Sequence, residues 1–269
     1  MPARLHHERI AKSDTAPTQW LLLTHGMYGA GSNWRGIARK VNERRPEWGI
    51  VLVDLRLHGR SEDGEPPHTL AACADDIRAL ADELGGVAAI AGHSLGGKVM
   101  LAARQLLDVE QTWLLDSSPS FRPTAHTDGD NSVLRVMEDL EALPRTWDKR
   151  DAFVAALVAK GHELMLAQWL AMSLVPDPQG TLTLRFDLPA LRMLLADYYA
   201  VDLWASIDDP ERGSVEIVIA DQSPVFTEDD AIRLRRSAEH VHIHHIDAGH
   251  WLHIAAPAAV VELFAQHLA

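Results

Sequence analysis

The sequence of 269 residues is poor in cysteine, in basic runs and in long hydrophobic runs. Cys73 is the one cysteine, which excludes an intramolecular disulfide and a cysteine-based zinc site and suits a reducing compartment. The net charge of −13, with no basic run longer than the interrupted stretch 233–236, argues against nucleic acid as a partner. The N-terminal stretch MPARLHHERIAKSD has no apolar signal-peptide core, and no run of about 18 apolar residues occurs, so a cytoplasmic protein without a membrane span is expected.

What the sequence does contain is a regular alternation of apolar runs and helical segments. With 47% hydrophobic residues, a chain of this length can form one sizeable core. The predicted strands end in Gly, Asp or Ser and span residues 20–26, 50–56, 87–94, 112–118, 215–221 and 241–247. Segments of helical period, such as 70–84 and 257–268, lie between or after them. This alternation predicts an α/β fold with a mostly parallel central sheet flanked by helices.

The alternation is interrupted between residues 121 and 213, where no strand of the same kind is evident. Helical stretches follow one another there, separated by prolines, at about 131–142, 150–171 and 188–200. We expect residues 121–213 to form a helical cap inserted after a core strand. Residues 1–120 and 214–269 would then form the core.

The sharpest local motif is AIAGHSLGGKVM at residues 89–100, which contains the pattern GxSxG from Gly92 to Gly96. An apolar strand precedes the pattern and a helix-forming run follows it. This arrangement is typical of a very tight strand-to-helix turn, in which the serine is strained at the tip and small residues on either side avoid a clash. Ser94 is therefore the predicted nucleophile, and chance occurrence of the pattern is the alternative.

A second motif, LLTHGMYGAGSNW at residues 22–34, joins an apolar strand to a glycine-containing loop whose backbone can approach a substrate closely. Beside a GxSxG turn, the N–H after such an HG pair and the N–H after the nucleophile converge on an oxyanion. Met27 and Leu95 are therefore the predicted backbone donors. His25 is expected to order the loop by hydrogen bonding rather than to act as a base.

The candidate general base lies late in the chain, in IDAGHWLH at residues 246–253. The sequence has 15 histidines, so any one of them can be an ordinary surface or hydrogen-bonded residue. His250 follows a strand and an Ala-Gly pair and precedes a C-terminal helix, which is the position of a loop that could carry a base. We therefore predict His250 in this role.

In this order and spacing, the motifs HGMYG, DLRLHGRS, GHSLGGK and GHWLH resemble those of the α/β-hydrolase superfamily. More narrowly, they resemble the bacterial esterase and thioesterase group related to the mitochondrial abhydrolase-11-type proteins. The resemblance covers residues 20–118 and 214–269, whereas the cap matches only vaguely. It implies an α/β-hydrolase fold and hydrolysis of carboxylic esters or acyl thioesters without a metal or organic cofactor. A small-molecule acyl ester or thioester is the expected partner, and the protein is expected to be a monomer or a small homo-oligomer.

The catalytic acid is less clearly marked than the serine and the histidine. Most members of the superfamily carry it directly before a proline after the late strand, and ADQSP has Ser223 at that place, with Asp221 two residues early. The narrower group resembles this chain in having an aspartate at the end of the preceding strand, where WLLDSSP offers Asp116. A carboxylate at the tip of that apolar strand needs a partner, and a histidine N–H is one. Asp116 is favoured, and Asp221 remains the alternative.

Aromatic residues of the cap and of the loops could together form an apolar acyl pocket, although for each one taken singly the core is the first expectation. The candidates for substrate binding are Tyr28, Trp147, Trp169, Trp204 and Trp251. Two other functional classes stay open. One is a cofactor-independent lyase or C–C bond hydrolase, in which Arg122 or Tyr198 would bind a carboxylate. The other is a non-catalytic ligand-binding protein of the same fold.

Overall fold

The structure is a computed structural model that describes residues 1–12, 16–126, 131–178 and 180–269. The strands in these ranges are β1 (His7–Ile10), β2 (Gln19–Thr24), β3 (Trp48–Val53), β4 (Ala89–His93), β5 (Gln111–Leu115), β6 (Thr146–Trp147), β7 (Leu174–Pro176), β8 (Leu182–Leu184), β9 (Ser214–Ala220) and β10 (Val241–Ile246). The α-helices are α1 (Arg35–Arg44), α2 (Leu70–Leu84), α3 (Leu95–Ala103), α4 (Ser132–Ala142), α5 (Arg150–Ala159), α6 (Leu164–Leu170), α7 (Leu188–Ala200), α8 (Trp204–Ile207), α9 (Glu228–Leu234), α10 (Leu252–Ala255) and α11 (Pro257–His267).

Seven strands form one twisted sheet in the order β1-β3-β2-β4-β5-β9-β10. β1 pairs antiparallel with β3, and every other pair in this sheet is parallel. The six strands predicted from the apolar runs are all present, so the predicted α/β-hydrolase architecture is confirmed. The sequence pattern missed β1, because this short edge strand is only partly buried and its residues HERI do not alternate in polarity.

Helices cover both faces of the sheet, which explains why the central strands are apolar throughout rather than alternating. Leu21 and Leu23 of β2 pack in a cluster with α1 and α11, whereas Leu22 between them packs in a cluster with α2 and α3. β3 has no exposed residue at all. The carboxyl ends of the parallel strands therefore meet at one edge of a sheet that is covered on both faces. The loops that leave this edge are anchored by the packed strands from which they start.

The cap segment, residues 121–213 between β5 and β9, contains α4 to α8 and also a small antiparallel sheet in the order β6-β8-β7. The prediction of a purely helical cap missed this sheet, because strands of two or three residues are too short for a periodic pattern to reveal. The predicted helical stretch 150–171 is divided into α5 and α6 near Gly161, which has φ 93°. Buried residues of α4 and α7 belong to the same apolar cluster as α2 and α3, so the cap packs directly onto the core.

Across the described ranges, no helix has both the length and the apolar character that crossing a membrane would require.

Candidate active site

Ser94 occupies the turn between β4 and α3, with φ 50° and ψ −116°, a conformation that non-glycine residues rarely adopt. A Cβ atom at Gly92 would collide with the backbone of Gly96, and one at Gly96 would collide with the Thr24 side chain. The turn is fixed from the neighbouring strand as well, because the backbone N–H of Ser94 donates to Leu115 O at 3.1 Å. The two glycines of the GxSxG pattern are therefore required by close packing around the serine.

Backbone strain is concentrated at the carboxyl edge of the sheet. In the described part of the chain, the non-glycine residues with positive φ are Tyr28 (64°), Leu57 (65°), Ser94 (50°) and Asp116 (46°). They follow β2, β3, β4 and β5, which are neighbours in the sheet. Each such conformation costs about 1–3 kcal/mol and persists only where the surroundings enforce it. Four strained residues therefore lie together where β2 to β5 end, and such clusters are typical of functional sites.

His250 lies in the loop between β10 and α10, and its Nδ1–H donates to Asp116 Oδ2 at 2.7 Å. The Asp116 side chain is 0% exposed and that of His250 is 15% exposed. Two further donors reach the same carboxylate, the Ser223 hydroxyl to Oδ2 at 2.6 Å and the Ala220 N–H to Oδ1 at 3.2 Å. Three hydrogen bonds compensate for the burial of this carboxylate, and Nε2 is the ring nitrogen of His250 that does not face it.

Asp221, the alternative acid, lies elsewhere. It follows β9, its carboxylate is 45% exposed, and Oδ1 accepts a hydrogen bond from His245 Nδ1 at 2.7 Å. The structure therefore brings Asp116 to His250 and directs Asp221 to a different histidine.

A contact that the sequence did not reveal holds the loop of His250. His93, which precedes the serine, donates from Nε2 to the backbone O of His250 at 2.8 Å. The two imidazole rings lie 4.7 Å apart. Burial lowers the pKa of His93 well below its ordinary value, so the ring stays neutral and its Nε2 keeps the proton that it donates. The two residues are 157 positions apart, and no local pattern could have predicted the contact.

The HG loop is ordered by two neutral histidines. His25 donates from Nδ1 to Gly26 O at 2.7 Å and accepts at Nε2 from Leu55 N–H at 3.1 Å. His58 donates from Nδ1 to Arg56 O at 2.8 Å and accepts at Nε2 from Tyr28 N–H at 3.2 Å. Burial lowers the pKa of His58 to about 3. Both ring nitrogens of His25 thus serve to order the loop.

The predicted oxyanion donors, Met27 and Leu95, line the same cavity as Ser94 and His250, and the volume of this cavity is about 330 Å³. Within the described ranges, neither backbone N–H of these two residues has a hydrogen-bond acceptor. An N–H that opens into a cavity beside a strained serine can donate to an oxygen that develops negative charge there.

A second cavity, of about 560 Å³, adjoins the first. Of the residues in the described ranges, His250 and Ser132 line both cavities. The larger cavity is also lined by Trp169 and Trp251, whose rings lie 4.9 Å apart. These are two of the five aromatic residues predicted to bind substrate.

The other three aromatic candidates lie outside both cavities. Trp204 is 3% exposed in the core, and its Nε1 donates to Ser120 Oγ at 2.8 Å. Trp147 packs edge-on against Phe153 inside the cap. Tyr28 lines a separate cavity of about 210 Å³, and its hydroxyl donates to Val133 O at 3.0 Å. Packing of the cap explains these positions, because a sequence pattern cannot say which face of a buried aromatic ring borders a cavity.

Lys98, one turn after the serine, is a further residue whose place the motif did not reveal. It is 1% exposed, and its Nζ donates to the backbone O atoms of Ser120, Tyr198 and Val201 at 2.9, 2.6 and 2.6 Å. Burial lowers the pKa of Lys98 to about 8. The ammonium group thereby joins the helix of the serine to the end of α7 in the cap.

In the part of the chain that the structure describes, no three His, Cys, Asp or Glu side chains are grouped in a way that could hold a metal ion.

Comparison with known proteins identifies the family of the chain. A family model described as the alpha/beta hydrolase family matches residues 21–263. Among curated relatives, Lipase LipV of Mycobacterium tuberculosis is 28% identical over 98% of this chain and 97% of its own length. The sn-1-specific diacylglycerol lipase ABHD11 of Danio rerio is 28% identical over 91% of this chain and 76% of its own. Esterase YbfF of Escherichia coli is 25% identical over 92% of each.

A solved structure described as a marine microorganism esterase superposes with a TM-score of 0.84, at 20% identity, over 98% of this chain and 99% of its own. That likeness supports the fold. The predicted resemblance to esterases and to abhydrolase-11-type proteins is confirmed by the sequence relatives. The chain belongs to the alpha/beta hydrolase family and is a hydrolase.

Proposed function

We propose that the protein is a serine hydrolase that cleaves carboxylic esters through Ser94, His250 and Asp116. The observation that carries this proposal is the buried hydrogen bond from His250 Nδ1 to Asp116 Oδ2, at 2.7 Å, beside a cavity that both His250 and Ser94 line. A histidine oriented in this way has its second nitrogen available to a nucleophile.

In the proposed reaction, His250 Nε2 takes the proton of Ser94 Oγ as the oxygen attacks the acyl carbon. The buried carboxylate of Asp116 fixes the Nδ1–H tautomer and stabilises the imidazolium that forms. The hydrogen bond from His93 to the His250 carbonyl supports the same loop through its backbone. Proton transfer to the leaving oxygen releases the alcohol, and water then hydrolyses the acyl-enzyme by the same steps.

The oxygen of the tetrahedral intermediate would accept hydrogen bonds from Met27 N–H and Leu95 N–H. Leu95 is also the first residue of α3, whose N-terminal dipole favours negative charge at this point. Removing one oxyanion donor typically lowers kcat by about 10²–10³. The strained turns at Tyr28 and Ser94 support this role, because they fix the two loops from which the N–H groups project.

The distribution of charge favours simple esters over acyl-CoA thioesters. An anionic leaving group would need a positive rim, yet two arginines of the cap that could supply it, Arg145 and Arg150, are bound to backbone carbonyls and line neither cavity. Arg145 donates to Phe186 O, and Arg150 donates to the backbone O atoms of Ala171 and Leu174. We therefore expect neutral esters to be turned over more readily than acyl-CoA, and acyl-CoA rates that fall steeply with salt would contradict this preference.

The C–C hydrolase or lyase alternative has less support. Arg122 is the one cation among the described residues that line the Ser94 cavity, and its guanidinium donates to Val225 O and lies 3.6 Å from Asp230 Oδ2. An arginine beside a buried aspartate gives no strongly basic pocket for a substrate carboxylate.

The test is the Ser94→Ala variant, assayed with p-nitrophenyl esters of graded chain length and with acyl-CoA, and labelled with a fluorophosphonate probe. Alanine adds no clash at the turn, so the far-UV circular dichroism spectrum should not change. We expect turnover to fall by more than about 10³ and labelling to disappear. Turnover within about tenfold of the wild type, or labelling that persists, would show that Ser94 is not the nucleophile.

A further inference from the structure

His250 lies between the two adjoining cavities, and this position divides a bound ester into two parts. Of these two cavities, Ser94, Met27 and Leu95 line the smaller, of about 330 Å³, while Trp169 and Trp251 line the larger, of about 560 Å³. Trp169 also borders the separate cavity of about 210 Å³. An acyl carbon that is in reach of Ser94 must therefore lie in the smaller cavity. Among the residues that the structure describes, His250 and Ser132 line both cavities, so a substituent that extends from one to the other passes these two side chains.

The direction of proton transfer decides which substituent passes His250. As the tetrahedral intermediate collapses, the bond from the acyl carbon to the leaving oxygen breaks, and its electron pair stays on that oxygen. His250 Nε2 gives the oxygen a proton, so a neutral alcohol departs and the acyl group remains on Ser94 Oγ. The leaving oxygen must consequently face His250, and the rest of the alcohol extends beyond it.

We propose that the cavity lined by Trp169 and Trp251 is the leaving-group pocket, and that it selects esters of uncharged alkyl or aryl alcohols. This inference rests on the proposed esterase function and adds the class of alcohol to it. The volume of the cavity falls within the range of about 300–1,000 Å³ that is typical of small-molecule sites.

The lining of the larger cavity fits an apolar alcohol. Apolar side chains come from the cap and from the core, namely Met165, Leu166, Trp169, Trp251 and Ile254. Two of its polar side chains are held by the cap, since Arg135 donates to Lys160 O at 2.9 Å and His162 Nε2 contacts Asp139 at 2.8 Å. They bind the cap together rather than a charged ligand. Trp169 belongs to α6 of the cap, and Trp251 belongs to the core loop that carries His250. Recognition of the alcohol therefore depends on how the cap packs against the core.

The smaller cavity has a different character and would take the acyl chain. Several hydroxyl, amide and guanidinium groups line it, among them Thr124, Asn131, Ser132, Thr227 and Arg122. Val225 and Leu195 are among its apolar side chains. A change at Val225 should therefore alter acyl selectivity and leave alcohol selectivity unchanged.

Two isomeric esters can test the two pockets separately. Hexyl acetate and ethyl hexanoate have the same formula, but hexyl acetate carries its long chain on the alcohol side and ethyl hexanoate on the acyl side. A fully buried methylene raises kcat/KM about fourfold. In the Trp169→Ala variant we expect kcat/KM for hexyl acetate to fall about tenfold, with the value for ethyl hexanoate within about twofold of the wild type. Met165→Ala, at a side chain that is largely exposed, should shift the ratio in the same direction by about threefold without a risk to folding.

The matched control is Val225→Phe, which narrows the smaller cavity. It should lower kcat/KM for ethyl hexanoate about tenfold and leave hexyl acetate within about twofold. If the wild type hydrolyses both esters while Trp169→Ala and Met165→Ala leave their ratio unchanged, or lower ethyl hexanoate instead, the assignment of the pocket is wrong and the esterase function stands. If the folded wild type hydrolyses neither ester and a fluorophosphonate does not label Ser94, the esterase proposal itself is wrong and the pocket assignment is lost with it.

Discussion

Two aspartates follow neighbouring strands of the same sheet, and each contacts a histidine at 2.7 Å, yet their surroundings differ completely. Asp116 follows β5, is 0% exposed and receives three hydrogen bonds. Asp221 follows β9, is 45% exposed and contacts His245 on the surface. Distance to a histidine therefore does not distinguish a candidate catalytic acid from a surface ion pair, whereas burial and the place of the histidine do.

The physical difference is one of solvation. A buried carboxylate that is fully hydrogen-bonded is held in one geometry and acts on its histidine through a medium of low dielectric constant. An exposed pair is screened by water and typically contributes no more than about 1 kcal/mol. Asp116 also has φ 46°, a strained backbone conformation that accompanies the placement of its carboxylate beside His250.

The strongest test of this comparison is to neutralise each carboxylate in turn. If Asp116 orients His250 as proposed, Asp116→Asn presents the imidazole in the wrong tautomer and should lower kcat by a factor on the order of 10⁴. Asp221→Asn, the matched control, should stay within about twofold of the wild type. Steady-state kinetics with a p-nitrophenyl ester measures both effects. Comparable partial losses would mean that the two carboxylates substitute for each other, and the reverse order would make Asp221 the acid.

A second experiment moves the carboxylate to the place that the wider superfamily resemblance implies. Ser223 Oγ lies 2.6 Å from the Asp116 oxygen that contacts His250, so an aspartate at 223 could reach the same Nδ1–H. We expect the double variant Asp116→Asn/Ser223→Asp to recover about 10- to 100-fold of the kcat lost in Asp116→Asn.

Ser223→Asp alone is the control for this rescue. It places two carboxylates within hydrogen-bond distance of each other, which disfavours the charged form of one of them and should lower activity at neutral pH. If the double variant is no more active than Asp116→Asn, residue 223 cannot replace the acid, and the contact of Ser223 with Asp116 only helps to fix the carboxylate.

Much of this arrangement could be predicted from the sequence, because local patterns determine local structure. The GxSxG turn depends on glycines at fixed offsets, and the six core strands are continuous apolar runs, so both could be recognised from the chain alone. The preference for Asp116 rests on the resemblance to the narrower group, which has an aspartate at the end of this strand, and on the need of a carboxylate there for a partner. The contact with His250 depends on the paths of two loops 134 residues apart, which no local pattern specifies.

The features that the sequence does not reveal share a different cause. Trp147 and Trp204 are aromatic residues in or near helices, and the sequence cannot tell a face that packs inward from one that borders a cavity. The strands of the cap are too short to show a period. The link from His93 to the His250 carbonyl joins distant positions through a side chain that the motif presents only as a neighbour of the serine.

A third carboxylate sharpens the comparison by separating burial from catalysis. Glu216 on β9 is 2% exposed, and its oxygens contact His242 Nδ1 and His244 Nε2 at 2.7 and 2.8 Å. Glu216 pairs in register with His242 of β10 and with Trp113 of β5, in the amino-terminal half of β9 and so away from the carboxyl edge that carries Ser94. Burial raises the pKa of a carboxyl group, but the hydrogen bonds from His244 and His242 outweigh this effect and lower the pKa of Glu216 below its ordinary value.

Glu216→Gln should therefore change stability and leave catalysis alone. A carboxyl group whose pKa is lower in the folded state contributes stability that is fully present above its unfolded pKa and is lost as the pH falls through its folded pKa. Denaturant unfolding at pH 7 should show a loss of about 1–3 kcal/mol in the variant, the usual contribution of hydrogen bonds to a charged group, with kcat within about twofold of the wild type. The difference in unfolding free energy between the two proteins should shrink as the pH is lowered below about 4.5, where the unfolded carboxyl group takes up its proton.

A difference that is independent of pH would assign the effect to packing, and a large fall in kcat would show that a buried carboxylate–histidine pair acts on the reaction without lying beside the serine.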